Sequence, residues 1–196
     1  MINRKVRSIV LWLINNDEIE QNDFELYEFA IYSLIFSWSP LIMSIIFGAI
    51  IGIPIKAILM IIPFMAIRKF SGGYHVNHAG ICFFVSSVLM FVFLIIIKYT
   101  EANIIYDIFV CLSVLLIVIL SPVDSENRKL SEIETKEYKL VSMKISMVTL
   151  IVYGLARVGE LGEYSICFGI GLILTALLLI PCLFKKLHYK KIKMKR

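Results

Sequence analysis

Ile81-Cys82-Phe83-Phe84-Val85-Ser86-Ser87-Val88-Leu89-Met90-Phe91-Val92-Phe93-Leu94-Ile95-Ile96-Ile97 holds no charged side chain. Its length approaches the roughly 20 residues with which an α-helix crosses the hydrocarbon core of a bilayer. Runs from Ile104 to Leu120 and from Ile166 to Phe184 repeat the pattern. With 59% hydrophobic residues, 18% charged residues and a mean hydropathy of +0.85, the 196-residue chain carries more apolar side chains than one soluble core encloses. Lipid must therefore serve as part of its solvent. The runs are continuously apolar and lack the two-residue alternation of a membrane β-barrel, so the fold class is all-α, a polytopic integral membrane protein.

Six hydrophobic segments follow, at roughly 28–53, 54–67, 80–97, 104–122, 140–157 and 164–184. The second is short and contains Pro54, Lys56 and Pro63; it reads either as a tilted crossing helix or as a re-entrant one packed against its neighbours. Before the first lies a polar stretch, residues 1–27, in which Val6, Ile9, Val10 and Leu13 share a helical face beside Arg4, Lys5 and Arg7. That pattern predicts an amphipathic helix in the membrane interface, its cations on lipid phosphates. No small-residue cleavage site follows the short stretch Ile9 to Ile14, so no signal peptide is expected. The whole chain, 1–196, is read as a single membrane-embedded domain ending in a basic tail, 185–196.

Charge sets the orientation. If all six segments cross, the N-terminus, the loops 68–79 and 123–139 and the tail share one side, which holds all of the 20 basic residues except Lys56, Lys98, Lys144 and Arg157. The positive-inside rule makes that side cytoplasmic, with both termini. The net charge of +5 comes mostly from the tail. A basic run directly after a hydrophobic segment anchors topology on anionic lipid, and no aromatic-basic interleaving accompanies it, so no nucleic-acid partner is expected.

Between segments two and three stands Arg68-Lys69-Phe70-Ser71-Gly72-Gly73-Tyr74-His75-Val76-Asn77-His78-Ala79-Gly80-Ile81-Cys82. Gly72 and Gly73 permit positive φ and the close approach of another chain, but by themselves they read more readily as a simple turn. Cys82 is distinguished from Cys111, Cys167 and Cys182, which sit inside apolar runs without CxxC spacing and read as small core residues. An imidazole beside a thiol can take its proton and then protonate a leaving amine, the minimum for thiol-dependent acyl transfer, and a helix start further favours the thiolate.

Two histidines compete for that role. In an unbroken helix His75 stands about 10 Å along the axis from Cys82, too far for proton transfer, whereas His78 is the i−4 neighbour. His75 serves only if the Gly72-Gly73 loop folds it back over the helix start. A catalytic metal on His75, His78 and Cys82 lacks a fourth ligand nearby, and neither a metal nor another cofactor is expected. Two interfacial histidines beside an inert thiol remain the bland alternative.

The stretch Arg68 to His75, then Cys82 and Ser86, closely resembles the signature of the accessory gene regulator B (AgrB) family, membrane cysteine peptidases of quorum-sensing systems. The later Ser121-Pro122-Val123-Asp124-Ser125-Glu126-Asn127-Arg128-Lys129 stretch is similar to that family's second polar motif. The resemblance implies that His75 and Cys82 are the catalytic pair and that the substrate is an AgrD-like precursor peptide, cut near its C-terminal end and cyclised to a thiolactone or lactone. On that reading Arg68, Lys69, Arg128 and Lys129 hold an acidic peptide tail, or merely anchor the loops. Gly72, Gly73 and Ser86 line the site, and Asp124 orients the imidazole or is simply solvated. The resemblance also allows a homodimer.

Overall fold

The structure is a computed structural model that describes residues 2–72, 79–123, 131–159 and 161–193, with side chains at all of these except 2–3, 36, 79–83 and 182–193. Its helices are α1 (Ile2–Asn15), α2 (Phe24–Ile51, preceded by a single 3-10 turn), α3 (Pro54–Ser71), α4 (Ala79–Tyr99), α5 (Ile104–Leu120), α6 (Glu132–Val158) and α7 (Gly162–Lys193). Among the described residues β pairing amounts to one isolated bridge, between Gly72 and Val123. The chain forms two compact units, Met1–Met43 and Ser44–Arg196.

In the first unit the backbone N–H groups of Asn16, Asp17 and Glu18 bond back to α1 carbonyls. Asp17, at φ 57°, reverses the chain so that α1 lies along the first turns of α2. Arg7 Nε donates to Glu28 Oε1 at 2.8 Å, and Val6 borders a depression shared with Glu25, Glu28, Phe29 and Tyr32. Val6 and Val10 are buried, whereas Ile9, Leu11 and Trp12 are exposed. The apolar face expected from periodicity is thus divided: half of it packs on protein and Ile9 stays outside.

The second unit is built around α7, which packs on α3, α5 and α6, with α4 touching it more lightly. In the most apolar 18-residue stretch of Gly162–Pro181, 61% of residues are buried, against 22% in α6. A helix apolar all round is a buried helix. Two glycines allow neighbours to come close. A Cβ on Gly169 would lie 2.3 Å from Tyr106 Oη of α5, and one on Gly171 would lie 2.9 Å from the Met60 carbonyl of α3.

Apolar and polar residues are distributed as lipid requires. The outward faces carry Ile105, Ile108, Phe109, Leu112 and Leu115 on α5 and Val148, Ile151 and Leu155 on α6, all exposed. Inside stand Ser44, Ser71, Ser113, Ser121, Ser142, Ser146, Thr149, Ser165 and Thr175, all buried. Their hydroxyls find carbonyls within the fold: Ser113 that of Phe109, Ser146 that of Ser142, Thr149 that of Ile145 and Thr175 that of Gly171. Small hydroxyl residues between helices with aliphatic side chains outward are the pattern of packing in a bilayer, where oil surrounds the helices and close contact holds them together. This is a membrane protein. Gln21–Ile51, Glu132–Val158 and Gly162–Pro181 are long and apolar enough to cross, and Phe84–Tyr99 and Ile104–Leu120 are apolar but shorter.

The segment read as tilted or re-entrant is a single helix, α3, that continues four residues past the expected end at 67. It does not turn back. Lys56 near its start donates to Glu163 at the start of α7 at 3.0 Å, while its last residue, Ser71, accepts from Val123 beyond the end of α5 at 3.0 Å. At 1.5 Å per residue an 18-residue helix is about 27 Å long, and α3 runs that distance beside α7 with Ala57, Met60, Ile61, Phe64 and Ile67 buried. The other departures are extensions. α6 begins at Glu132, eight residues before its apolar stretch, because Ser131 and Glu134 form a reciprocal capping box there. The tail's backbone is helical as far as Lys193.

Replacing Gly171 by Val should force α3 and α7 apart and destabilise the purified protein by about 1–3 kcal/mol, the usual cost of overpacking. Thermal unfolding in detergent measures it, with the exposed Leu155→Ala as a near-neutral reference.

Candidate functional site

The C-terminal ends of α3 and α5 meet where the two polar motifs leave the bundle. α3 ends at Ser71 with Arg68 and Lys69 in its last turn, a favourable place for cations beside free carbonyls. Gly72 then leaves the helix at φ +70°, and a Cβ there would stand 2.3 Å from the Val123 carbonyl oxygen. Only glycine satisfies both demands. Val123 N donates to Ser71 O at 3.0 Å, which pairs the root of the first polar loop with the root of the second.

Behind this clasp lies a buried hydroxyl pair. Ser121 Oγ and Ser142 Oγ are 2.6 Å apart and share a hydrogen bond in which either can donate, and Ser142 Oγ lies 3.4 Å from the Lys139 carbonyl. Ser71 Oγ donates to the Gly72 carbonyl at 3.3 Å. Phe70 meets Tyr138 of α6 edge to face at 5.7 Å, and Lys69 Nζ lies 5.7 Å from the Phe70 ring. Segments 50 residues apart in sequence thus share one end of the bundle.

The residues expected at the site fall into three groups. Gly72 is part of the clasp, Arg68 is half-buried in the last turn of α3 and Lys69 is exposed. Cys82 lies in the first turn of α4, which begins at Ala79, and Ser86 is half-buried one turn further on; the Cys82 side chain is outside the described set. Gly73, His75, His78, Asp124, Arg128 and Lys129, and with them the folded-back loop, also lie outside the described residues.

The family model for accessory gene regulator B matches residues 6–180, both polar motifs included. The chain belongs to the AgrB family. This membership ties it to the accessory gene regulator system. An AgrB-like protein of Clostridium perfringens (strain SM101 / Type A) is 24% identical over 139 residues, covering 65% of this chain and 64% of the relative. The aligned part thus spans just under two thirds of that relative. No solved structure matches the chain at a significant level.

One polar cluster of this AgrB-family chain went unread in the sequence. At the opposite end of the bundle Asp107 of α5 accepts from the Tyr153 hydroxyl and, at 3.3 Å, from Arg157 Nε, both on α6. Arg157 also donates to the Ala102 carbonyl at 2.8 Å, and the Tyr106 hydroxyl donates to the Ile166 carbonyl at 2.7 Å. The signal was present as Tyr153 and Arg157, four apart on one helical face, but nothing local pointed to Asp107. This end is latched by satisfied pairs. The end with the clasp carries Arg68 to Gly72 of the first motif and Ser121 to Val123 of the second.

Gly72→Ala should prise Val123 from Ser71 and impose a positive φ on a residue with a side chain. We expect a loss of about 1–3 kcal/mol in detergent unfolding, the scale of a strained backbone position, whereas Gly154→Ala, where a Cβ meets nothing within 4 Å, should not destabilise.

Proposed function

We propose that this AgrB-family protein is a membrane cysteine endopeptidase that cleaves an AgrD-like precursor peptide near its C-terminal end and passes the remaining acyl group to a nucleophile within the peptide. The observation that carries the reading is the place of Cys82 in the first turn of α4, directly after the Gly-Gly-Tyr-His element and inside the stretch matched by the family. Backbone N–H groups in the first turn of a helix have no partner within it. There they stabilise a thiolate, and those of Gly80 and Ile81 would receive the oxyanion of a tetrahedral intermediate.

His75 takes the Cys82 proton, and the thiolate attacks the peptide carbonyl. The C–N bond breaks as the imidazolium returns its proton to the leaving amine, and an acyl thioester stays on Cys82. A cysteine or serine of the peptide then attacks that thioester and the Cys82 thiolate leaves. With cysteine as nucleophile, one thioester replaces another and no external energy source is needed. A site at the membrane boundary, with water restricted, favours ring closure over hydrolysis. Arg68, Lys69, Arg128 and Lys129 would hold an acidic leaving segment, with Gly72, Gly73 and Ser86 lining the groove.

The clasp end faces the cytoplasm in this proposal, together with both termini. Cations at the other end are matched: Lys56 by Glu163, Arg157 by Asp107 and Lys98 by the Ile51 carbonyl at 2.9 Å. Excess positive charge is left at the clasp end, as the positive-inside rule requires. The end-to-end course of α3 supports six crossings. Reporter fusions at residues 1 and 196 should both read cytoplasmic, and opposite readings would remove one crossing.

Cys82→Ala should abolish cleavage of a precursor encoded in a neighbouring reading frame while the protein still accumulates in the membrane. Unchanged cleavage would instead favour an exporter or a non-catalytic membrane partner. His75→Ala should lower the rate by at least about 100-fold, the scale of a lost general acid-base, and His78→Ala should leave most of it; the reverse result would reassign the base to His78.

A further inference from the structure

The geometry points to Ser142 as a positioning residue for the thiol site, acting from α6, 60 residues after Cys82. This rests on the peptidase reading above. Four consecutive links carry the connection. Ser142 and Ser121 share a 2.6 Å hydrogen bond between side chains that are 1% and 3% exposed, so water cannot replace it. Ser121 is two residues from Val123, whose N–H holds the Ser71 carbonyl at 3.0 Å. The Val123 carbonyl packs against the one face of Gly72 that admits no side chain, and His75 follows three residues later.

Ser142 thus fixes the level at which the end of α5 seats beside α3. That seating sets where the histidine loop leaves the bundle relative to the first turn of α4. Without the hydroxyl, the buried Ser121 side chain loses its hydrogen-bond partner and the Ser121-Val123 segment is free to shift. Proton transfer between an imidazole and a thiol needs heavy atoms within about 3 Å, and a displacement on the order of 1 Å can cost roughly 100-fold in rate. Ser146 supplies the contrast. It is buried as deeply, one turn along the same face, but among the described residues its hydroxyl bonds only to the Ser142 carbonyl of its own helix.

The test is the rate at which iodoacetamide alkylates Cys82 in the full-length protein in detergent, followed by peptide mass spectrometry and measured against pH. Wild type and His75→Ala define the two limits. An unassisted thiol with a pKa near 8.5 is only a few per cent thiolate at pH 7, so pairing should make wild type roughly 10-fold faster there. Ser142→Ala should fall most of the way to the His75→Ala rate, with its profile moved to higher pH. Ser142→Thr, which keeps the hydroxyl, should recover the wild-type profile, and Ser146→Ala should match it. Ser121→Ala repeats the test from the other side of the pair should Ser142→Ala fail to accumulate. If wild type and His75→Ala react alike, the peptidase reading itself fails. If they differ but Ser142→Ala and Ser121→Ala both follow wild type, or if Ser146→Ala falls as far as Ser142→Ala, the positioning role is overturned.

Discussion

A hydrocarbon surround offers no hydrogen bond to a peptide group, so a chain immersed in it must satisfy its backbone from within. That constraint governs this structure. The described hydrophobic segments are helices, and the serines and threonines turned inward bond to carbonyls of their own or neighbouring helices. With lipid as apolar as leucine, the helices are held by close contact and polar links, which explains glycines at 169 and 171 where α7 meets α5 and α3.

The same constraint explains where irregular backbone is found. Among the described residues, Gly72 and Val123 form the one bridge of non-helical chain with non-helical chain, and it lies where α3 and α5 end. Freed from helical bonding, Ser71 offers a carbonyl and Val123 an N–H, and each satisfies the other. The roots of the two polar loops are thereby held together. The stretches at Arg68 to Gly72 and Ser121 to Val123, separated by two apolar helices in the chain, are thus adjacent in the fold.

Much of this was readable from residue order. Continuous apolar runs gave the helices to within a few residues, because 3.6-residue geometry and bilayer thickness leave little choice. The limits of α6 and α7 were missed because their polar ends continue as helix beyond the apolar stretch, α6 from a capping box at Ser131 and Glu134. Periodicity grouped Ile9 with Val6 and Val10, but which flank of α1 meets protein depends on the turn at Asp17 and the Arg7 to Glu28 pair, which no helical wheel contains.

The sequence by itself determined the membrane class, the family and the candidate residues His75 and Cys82, because composition and a short motif are properties of neighbouring residues. Only the tertiary structure decided that α3 is one buried helix running from end to end, that Ser121 and Ser142 share a hydrogen bond, and that Gly72 meets Val123. Each joins residues 21 or more apart in sequence or depends on what surrounds a whole helix. Such contacts follow from how helices pack, and the order of residues along one helix does not contain them.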